Sequence, residues 1–410
     1  MSALALGPEM SRAQAAEMRL RLAFDHGKYD LHLGDHSTIA ARPILLSASE
    51  WSAIARDSEA LWRESVELEA RVLANPRLLT RLGLPRALIA EVRRATRHGH
   101  AGVGARFVRY DFHPTPDGWR ISEANADVPG GFLESAALTP LFLDLAPGCS
   151  GAGDPCSALA GALAQATGSG EHVALIHATA YTDDRQSMAA IAERLEALGV
   201  PAMLLAPDQL RERDGALFAR LDGEPPARIG AVARFFPAEW LPNLHDARAW
   251  RPLAAPRARC VLNPVSAIVS QSKRLPLLWD EVGLPLPTWR RLLPETRDPR
   301  SCAALADWAL KPALGRVGEA VYLPGARPIG ERRAPRLARK RPGHWVAQRR
   351  FDTLALPADG GPALHPCVGV FVLDGRAVGA YGRLSASPLI DQHAAEAAVL
   401  IQPPAEACAA

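Results

Sequence analysis

The chain has 410 residues, enough for two or three lobes around a large shared core. It is 48% hydrophobic and 22% charged with a near-zero mean hydropathy, the composition of a globular protein, and its net charge of +3 argues against a nucleic-acid or anionic-membrane surface. The opening MSALALGPEMSR lacks the basic start and apolar core of a signal peptide, and no apolar run reaches the ~18 residues a membrane span needs. The six cysteines (Cys149, Cys156, Cys260, Cys302, Cys367, Cys408) form no CxxC pair and read as reduced thiols of a cytoplasmic protein.

In chain order, residues 47–74 predict a long amphipathic helix: Ser47 and Glu50 have capping-box spacing, Trp51, Ile54, Leu61, Trp62 and Val72 form an apolar stripe, and Asn75-Pro76 stops it. A second helix starts near Pro85 and carries Leu88, Ile89 and Val92. ARFVRYDF-HPTPDG-WRISEAN is a hairpin, two alternating runs around a Pro/Asp/Gly turn. Residues 150–170, small and Gly/Ala-rich, read as a linker. From residue 172 strand, helix and strand alternate (HVALIHAT, a helix through Met188, Ile191 and Leu195, PAMLLAP, RIGAVARFF, CVLNP), which predicts a small parallel-sheet α/β unit. After residue 300, DWALKPA, GEAVYLP, HWVAQRRF, HPCVGVFVL and RAVGAYGRL predict one antiparallel sheet with Asp374-Gly375 as a tight turn, and the arginine-rich 325–343 reads as a solvated loop.

Three clusters carry chemistry. Alternation along the hairpin puts Arg109 and Asp111 on one face and Val108, Tyr110 and Phe112 on the other, with Glu123 and Asn125 together on the returning strand. The turn sets Asp111 within a residue or two of Glu123, and two carboxylates placed so close call for a neutralising partner. A hard cation such as Mg²⁺ is one answer; a solvated face on which Arg109 pairs with Asp111 is the other. The second cluster surrounds Lys311 in WALKPALGRVGEAVYL, where Gly315 and Gly318 bracket a loop able to approach phosphate; an ordinary hairpin turn is the alternative. The chain has 43 arginines and only four lysines (Lys28, Lys273, Lys311, Lys340), so a lysine in an apolar or glycine-rich setting marks a need for a compact ammonium. Lys273, in NPVSAIVSQSKRLPLLWD, is such a lysine, or else a helix-end side chain reaching solvent. The third cluster, on the terminal strands, holds Gln348 and Arg383; Arg383, at a strand end beside a glycine, either steadies a transferring phosphoryl group or is one more surface arginine.

In this order RYDF…DGWRISEANAD, RFFPAEWL, NPVSAIVSQSK…LW, LKPALGRVGEAV, VAQRRF and GVFVLDGRAVGAYGR resemble the synthetase domain of glutathionylspermidine synthases, over residues 40–402. The resemblance implies an α/β (α+β lobes) ATP-grasp fold in permuted order: residues 1–150 with the helical layer and metal hairpin, an inserted parallel-sheet pre-ATP-grasp unit at 151–265, and the ATP lobe with closing sheet at 266–410. It implies Mg²⁺ on Asp111, Glu123 and Asn125, ATP on Lys273, Lys311, Gly315, Arg316, Gly318 and Gln348, and Arg109 and Arg383 on the γ-phosphate and an acyl phosphate. The implied activity is ATP-dependent joining of a carboxylic acid to an amine such as an amino acid or polyamine; a non-catalytic nucleotide-binding relative is the alternative. A metal-dependent hydrolase is a third reading, and it leaves Lys311 and the glycine loop unexplained. That family holds glutathione partly through hydroxyls just after Glu-x-Asn, whereas here 127–131 (DVPGG) has none before Ser135, so the acid stays unnamed. Asp183 and Asp184 open a helix and either face a cationic amine or act as the usual acidic pair at a helix start.

Overall fold

The computed structural model describes residues 3–97, 105–221, 223, 225–245, 247–254, 258–302, 304–316, 318–326 and 333–403. The long helix runs Ala48–Ala74; the Ser47 hydroxyl accepts the Glu50 amide, and Asn75 ends the helix in extended conformation. Its inward stripe of Ile54, Leu61, Leu68 and Val72, fully buried, shares one core with Tyr110, Phe112, Val368 and Val370. The second helix spans Arg86–Arg97 and buries Leu88, Ile89 and Val92 as expected.

The hairpin forms from Phe107–Thr115 and Gly118–Asn125, with Gly118 taking the positive φ its turn demands. It does not stand alone. A five-stranded antiparallel sheet runs Ala395–Ala397, Arg376–Ser385, His365–Leu373, Phe107–Thr115, Gly118–Asn125, so the end of the chain lies against the hairpin. Asp374 and Gly375 both have positive φ, the backbone of a tight two-residue hairpin turn.

The alternating segment forms a sheet in which Ala227–Phe235 pairs in parallel with His172–His177 and Cys260–Leu262, and His172–His177 pairs in parallel with Ala202–Leu205. An antiparallel hairpin, Leu210–Arg213 and Ala216–Ala219, extends one edge. Helices Pro155–Ala166 and Thr182–Ala197 pack on it through Leu159, Leu163, Met188, Ile191 and Leu195.

Four expectations need correction. Much of the 150–170 linker is helix: Asp154 caps it, Pro155 pre-sets its first turn, and alanine, the strongest helix former, carries it. The post-300 strands do not share one sheet; Trp308–Pro312 and Trp345–Arg349 form a separate three-stranded sheet with Thr296–Arg297. GEAVYLP is not a strand, because positive φ at Gly318 and Ala320 turns the chain and only Tyr322 bridges to Leu310. Within 325–343, residues 327–332 lie outside the described residues, and Arg333–Lys340 is a helix that buries Ala334 and Ala338 against Trp308 and Leu310.

One buried ion pair ties the hairpin's end to the parallel sheet. Asp127 Oδ1 accepts Arg234 and Asp127 Oδ2 accepts the Ala238 amide at 2.9 Å, with both ionic side chains fully buried. Removing one partner strands a charge in low dielectric, so Asp127→Ala is expected to cost about 3–5 kcal/mol, read as a shift in the denaturant midpoint. A loss below about 1 kcal/mol would show that water reaches the pair.

Candidate active site

The five-stranded sheet turns Tyr110 and Phe112 into the core and Arg109, Asp111 and His113 toward a cleft. Asp111 lies directly opposite Glu123, and Arg109 opposite Asn125. Between Asp111 and Phe112 the register slips by one residue, leaving Ser122 without an opposite number. That bulge lets Ser122 Oγ meet His113 Nε2 at 3.0 Å while its carbonyl accepts Lys311 Nζ at 3.0 Å.

Each carboxylate is held by a cation. Arg109 grips Asp111 with Nε at 2.6 Å and a terminal nitrogen at 2.9 Å, and Asn125 Nδ2 donates to Asp111 at 3.0 Å. Arg109 reaches this position because Gly369 lies across the ladder; a Cβ there would sit 2.6 Å from Arg109 Cδ. The guanidinium also lies 5.4 Å from the Tyr381 ring centre. Lys273 Nζ lies 2.7 Å from Glu123 and donates to the Gly315 carbonyl at 2.7 Å; Lys311 Nζ donates to Gln348 Oε1 at 2.7 Å. Burial raises the Glu123 carboxyl, but Lys273 and Lys311 outweigh it and hold the group well below the usual range. Burial is the largest influence on Lys311; Glu123 opposes it and Lys273 reinforces it, leaving the ammonium pushed down to about 8. Burial also takes His113 down to about 4, so its imidazole is neutral at pH 7.

Two cavities meet here. A narrow one of about 210 Å³ is lined by Lys273, Lys311, Gly315, Gly318 and Gln348. A wide one of about 680 Å³ is lined by Arg109, Asp111, Asn125, Arg316 and Arg383. His113, Ser122, Glu123 and Gly318 line both, so they form one continuous cleft. The hairpin therefore faces both lysines across a common gap. Arg316 is the exception among the residues expected at the nucleotide: it turns from the lysines to Glu239, 2.7 Å away, and lies 5.3 Å from the Trp240 ring centre. Arg383 donates to the Asp391 carbonyl at 2.5 Å and the Ala394 carbonyl at 3.1 Å, and its buried Nε has no hydrogen-bond partner among the described residues. Asp183 and Asp184 line the wide cavity, and burial lifts Asp184 to about 6.

Charge bookkeeping tests the metal. Arg109, Lys273 and Lys311 outnumber Asp111 and Glu123 by one positive charge. A bare divalent ion would worsen that excess, whereas one arriving on a polyphosphate would bring a net negative charge to a positive site. The hard oxygens of Asp111, Glu123 and Asn125 thus suit Mg²⁺ bound as its nucleotide complex.

Two features escaped the sequence. His113 follows Arg109 and Asp111 in the same alternation, and that spacing was the available signal. The wide cavity's far wall carries Asp30, Glu134 and Glu396, one ligand oxygen of each within 4.8 Å of the others, and the fully buried Lys28 sits among them.

The fold is mixed α/β, with several sheets and helices around the cleft. The chain belongs to the glutathionylspermidine synthase preATP-grasp family, whose model matches residues 21–402. No curated protein sequence matches it. Among solved structures it is similar to a glutathione synthetase-like effector from Globodera pallida in its apo form, at 11% identity and a TM-score of 0.62, covering 94% of this chain and 96% of that one. It is also similar to a putative γ-glutamylcysteine synthetase from Methylobacillus flagellatus, at 14% identity and a TM-score of 0.44, covering 81% and 86%. Among the described residues no helix is long and apolar enough to cross a membrane.

Proposed function

We propose that the protein is an ATP-dependent carboxylate–amine ligase of the ATP-grasp type, permuted in order, which forms an amide through an acyl phosphate. The observation that carries this reading is the meeting of Lys273 with Glu123 at 2.7 Å where the narrow and wide cavities join. Lys273, Lys311, Gln348 and the Gly315–Gly318 loop hold the nucleotide in the narrow cavity, and Arg316 tethers that loop to Glu239 as a lid. Asp111, Glu123 and Asn125 hold Mg²⁺, which when bound supplies Lewis-acid neutralisation of the phosphates. Residues 1–150, 151–265 and 266–410 then contribute the hairpin, a substrate unit and the nucleotide lobe, in a protein working in the cytoplasm.

A substrate carboxylate oxygen attacks the γ-phosphorus as its bond to the bridging oxygen of ADP breaks. An amine nitrogen then attacks the acyl carbon, the carbon–oxygen bond to phosphate breaks, and the nitrogen loses a proton, giving amide, ADP and phosphate. Arg109 and Arg383 sit on the wide-cavity side, where fixed cations stabilise the charge on the transferring group without reorganising. Both are partly shielded from water, Arg109 being 13% exposed at its side chain and Arg383 having a buried nitrogen.

The test is ADP release by the full chain over a panel of acids crossed with amines. Release that requires one of each supports ligation. Tight ATP binding with no release under any pairing would make the protein a nucleotide-binding relative instead.

A further inference from the structure

Of the four lysines, two face the cleft junction and Lys340 is exposed at the end of the helix Arg333–Lys340, which leaves Lys28. It is fully buried, a rare state for lysine, and lies just beyond the helix Arg12–Asp25, where Gly27 supplies a left-handed turn that brings it inward. Its ammonium lies 2.7 Å from Asp30, 2.8 Å from Glu134 and 3.0 Å from Glu396. An ammonium has three N–H donors; here Asp30 and Glu134 accept two hydrogen bonds, and Glu396 lies within ion-pair distance. Asp30 Oδ1 additionally accepts Gln186 Nε2 at 2.7 Å. These carboxylates form the wall of the wide cavity, and Lys28 closes them from behind.

A pocket with three converging carboxylates is what a substrate ammonium would seek. Here a side chain of the protein already takes that place, held by ion pairs with Asp30 and Glu134 and lying 3.0 Å from Glu396, whose carboxyl is pushed up to about 8 by burial and the neighbouring Glu134. Among the described residues Glu134 Oε2 and Glu396 Oε2 are buried without a hydrogen-bond partner, and the point on which the three acids converge is occupied by the Lys28 ammonium. The acids left at the rim, Asp183 and Asp184, are exposed or half-exposed and bind a cation only weakly through water.

We propose that Lys28 is a built-in cation that fills the acidic wall of the substrate cavity and thereby restricts the amine substrate to one bearing a single ammonium, excluding diamines and polyamines. The proposal rests on the ligase reading for the word substrate, and on the geometry alone for the filled cation site. Buried opposite the three acids, Lys28 keeps its charge across the physiological range, because Glu134, Glu396 and Asp30 overcome the cost of burial.

The test compares putrescine, a dication, with butylamine, a monocation of the same chain length, by calorimetric titration of the full chain. The wild type is expected to bind putrescine no more than about threefold more tightly, whereas Lys28→Ala, which empties the site, should raise that preference at least about tenfold. The melting temperature of Lys28→Ala should fall by several degrees and recover by half or more in millimolar propylammonium chloride, but not in equal sodium chloride. A tenfold wild-type preference for putrescine would overturn the proposal, as would a Lys28→Ala protein that folds but is not rescued by the alkylammonium. If the variant does not fold, the wild-type comparison alone decides. Failure of the ligase reading would appear separately, as no ADP release from any pairing of acid and amine, while the cation-rescue result stands by itself.

Discussion

Glu123→Gln is expected to lower kcat by about 10³-fold or more while leaving the chain folded, measured by ADP release with the acid and amine that the panel identifies. Removing one fixed electrostatic contact to a developing charge costs about 10²–10³ in kcat, and this substitution also takes a carboxylate from the proposed Mg²⁺ site. The amide oxygen can still accept Lys273 at the 2.7 Å position, so the loss is of charge rather than of shape. Stability should respond to pH in a way that identifies the group. The folded carboxyl lies below its unfolded value, so its contribution is present above the ordinary carboxylate range and is lost as pH falls beneath that range. The gap in stability between wild type and Glu123→Gln should therefore close on acidification. An unchanged kcat would remove Glu123 from the chemistry and leave it a partner of Lys273 alone.

How far the cleft was readable depended on the distance over which each contact is made. The strict alternation of 107–115 and the Pro-Asp-Gly turn are local, and they brought Asp111 beside Glu123 because side chains two apart share a face. Helix 48–74 was legible for the same reason, from cap, stripe and stop within one segment. What joined the hairpin to its surroundings was not local. Strand 365–373 pairs with 107–115 across some 250 residues, and alternation alone does not say which strand an edge will choose. Pattern alone groups 308–312, 345–349, 365–373 and 376–385 in one sheet, since nothing in it separates the two sheets they form. Alanine in 155–166 is helix propensity that Gly/Ala-rich composition alone does not separate from a linker, and the informative residue is the single cap at Asp154. Lysine scarcity did mark three of the relevant ammonium groups, yet composition says nothing about where a side chain ends up. Lys28 was visible as rare, and its burial among Asp30, Glu134 and Glu396 required the chain's two ends to meet.

ATP affinity should fall as pH rises above about 8, by up to tenfold per unit, and the fall should vanish in Lys311→Met. In the free protein burial holds the Lys311 ammonium at about 8, so above that pH the lysine is increasingly neutral. A polyphosphate placed in the narrow cavity favours the charged form and raises this value, so binding there takes up a proton, and each further pH unit weakens binding by up to a decade. Calorimetry in buffers of different ionisation heats measures that uptake directly. Apo stability moves the other way: a lysine lowered from 10.5 to about 8 is protonated in the unfolded chain and neutral in the folded one across that window. The unfolded state then binds more protons, and Lys311 makes the fold more stable as pH climbs through the same range. Opposite slopes from one group are hard to obtain from any residue outside the phosphate's reach. Lys311→Met should also weaken ATP by about 10- to 100-fold at pH 7, the loss of one charge-assisted hydrogen bond in a dry site. Flat affinity from pH 7 to 9.5 in the wild type, with no proton taken up, would place the phosphates somewhere other than the narrow cavity.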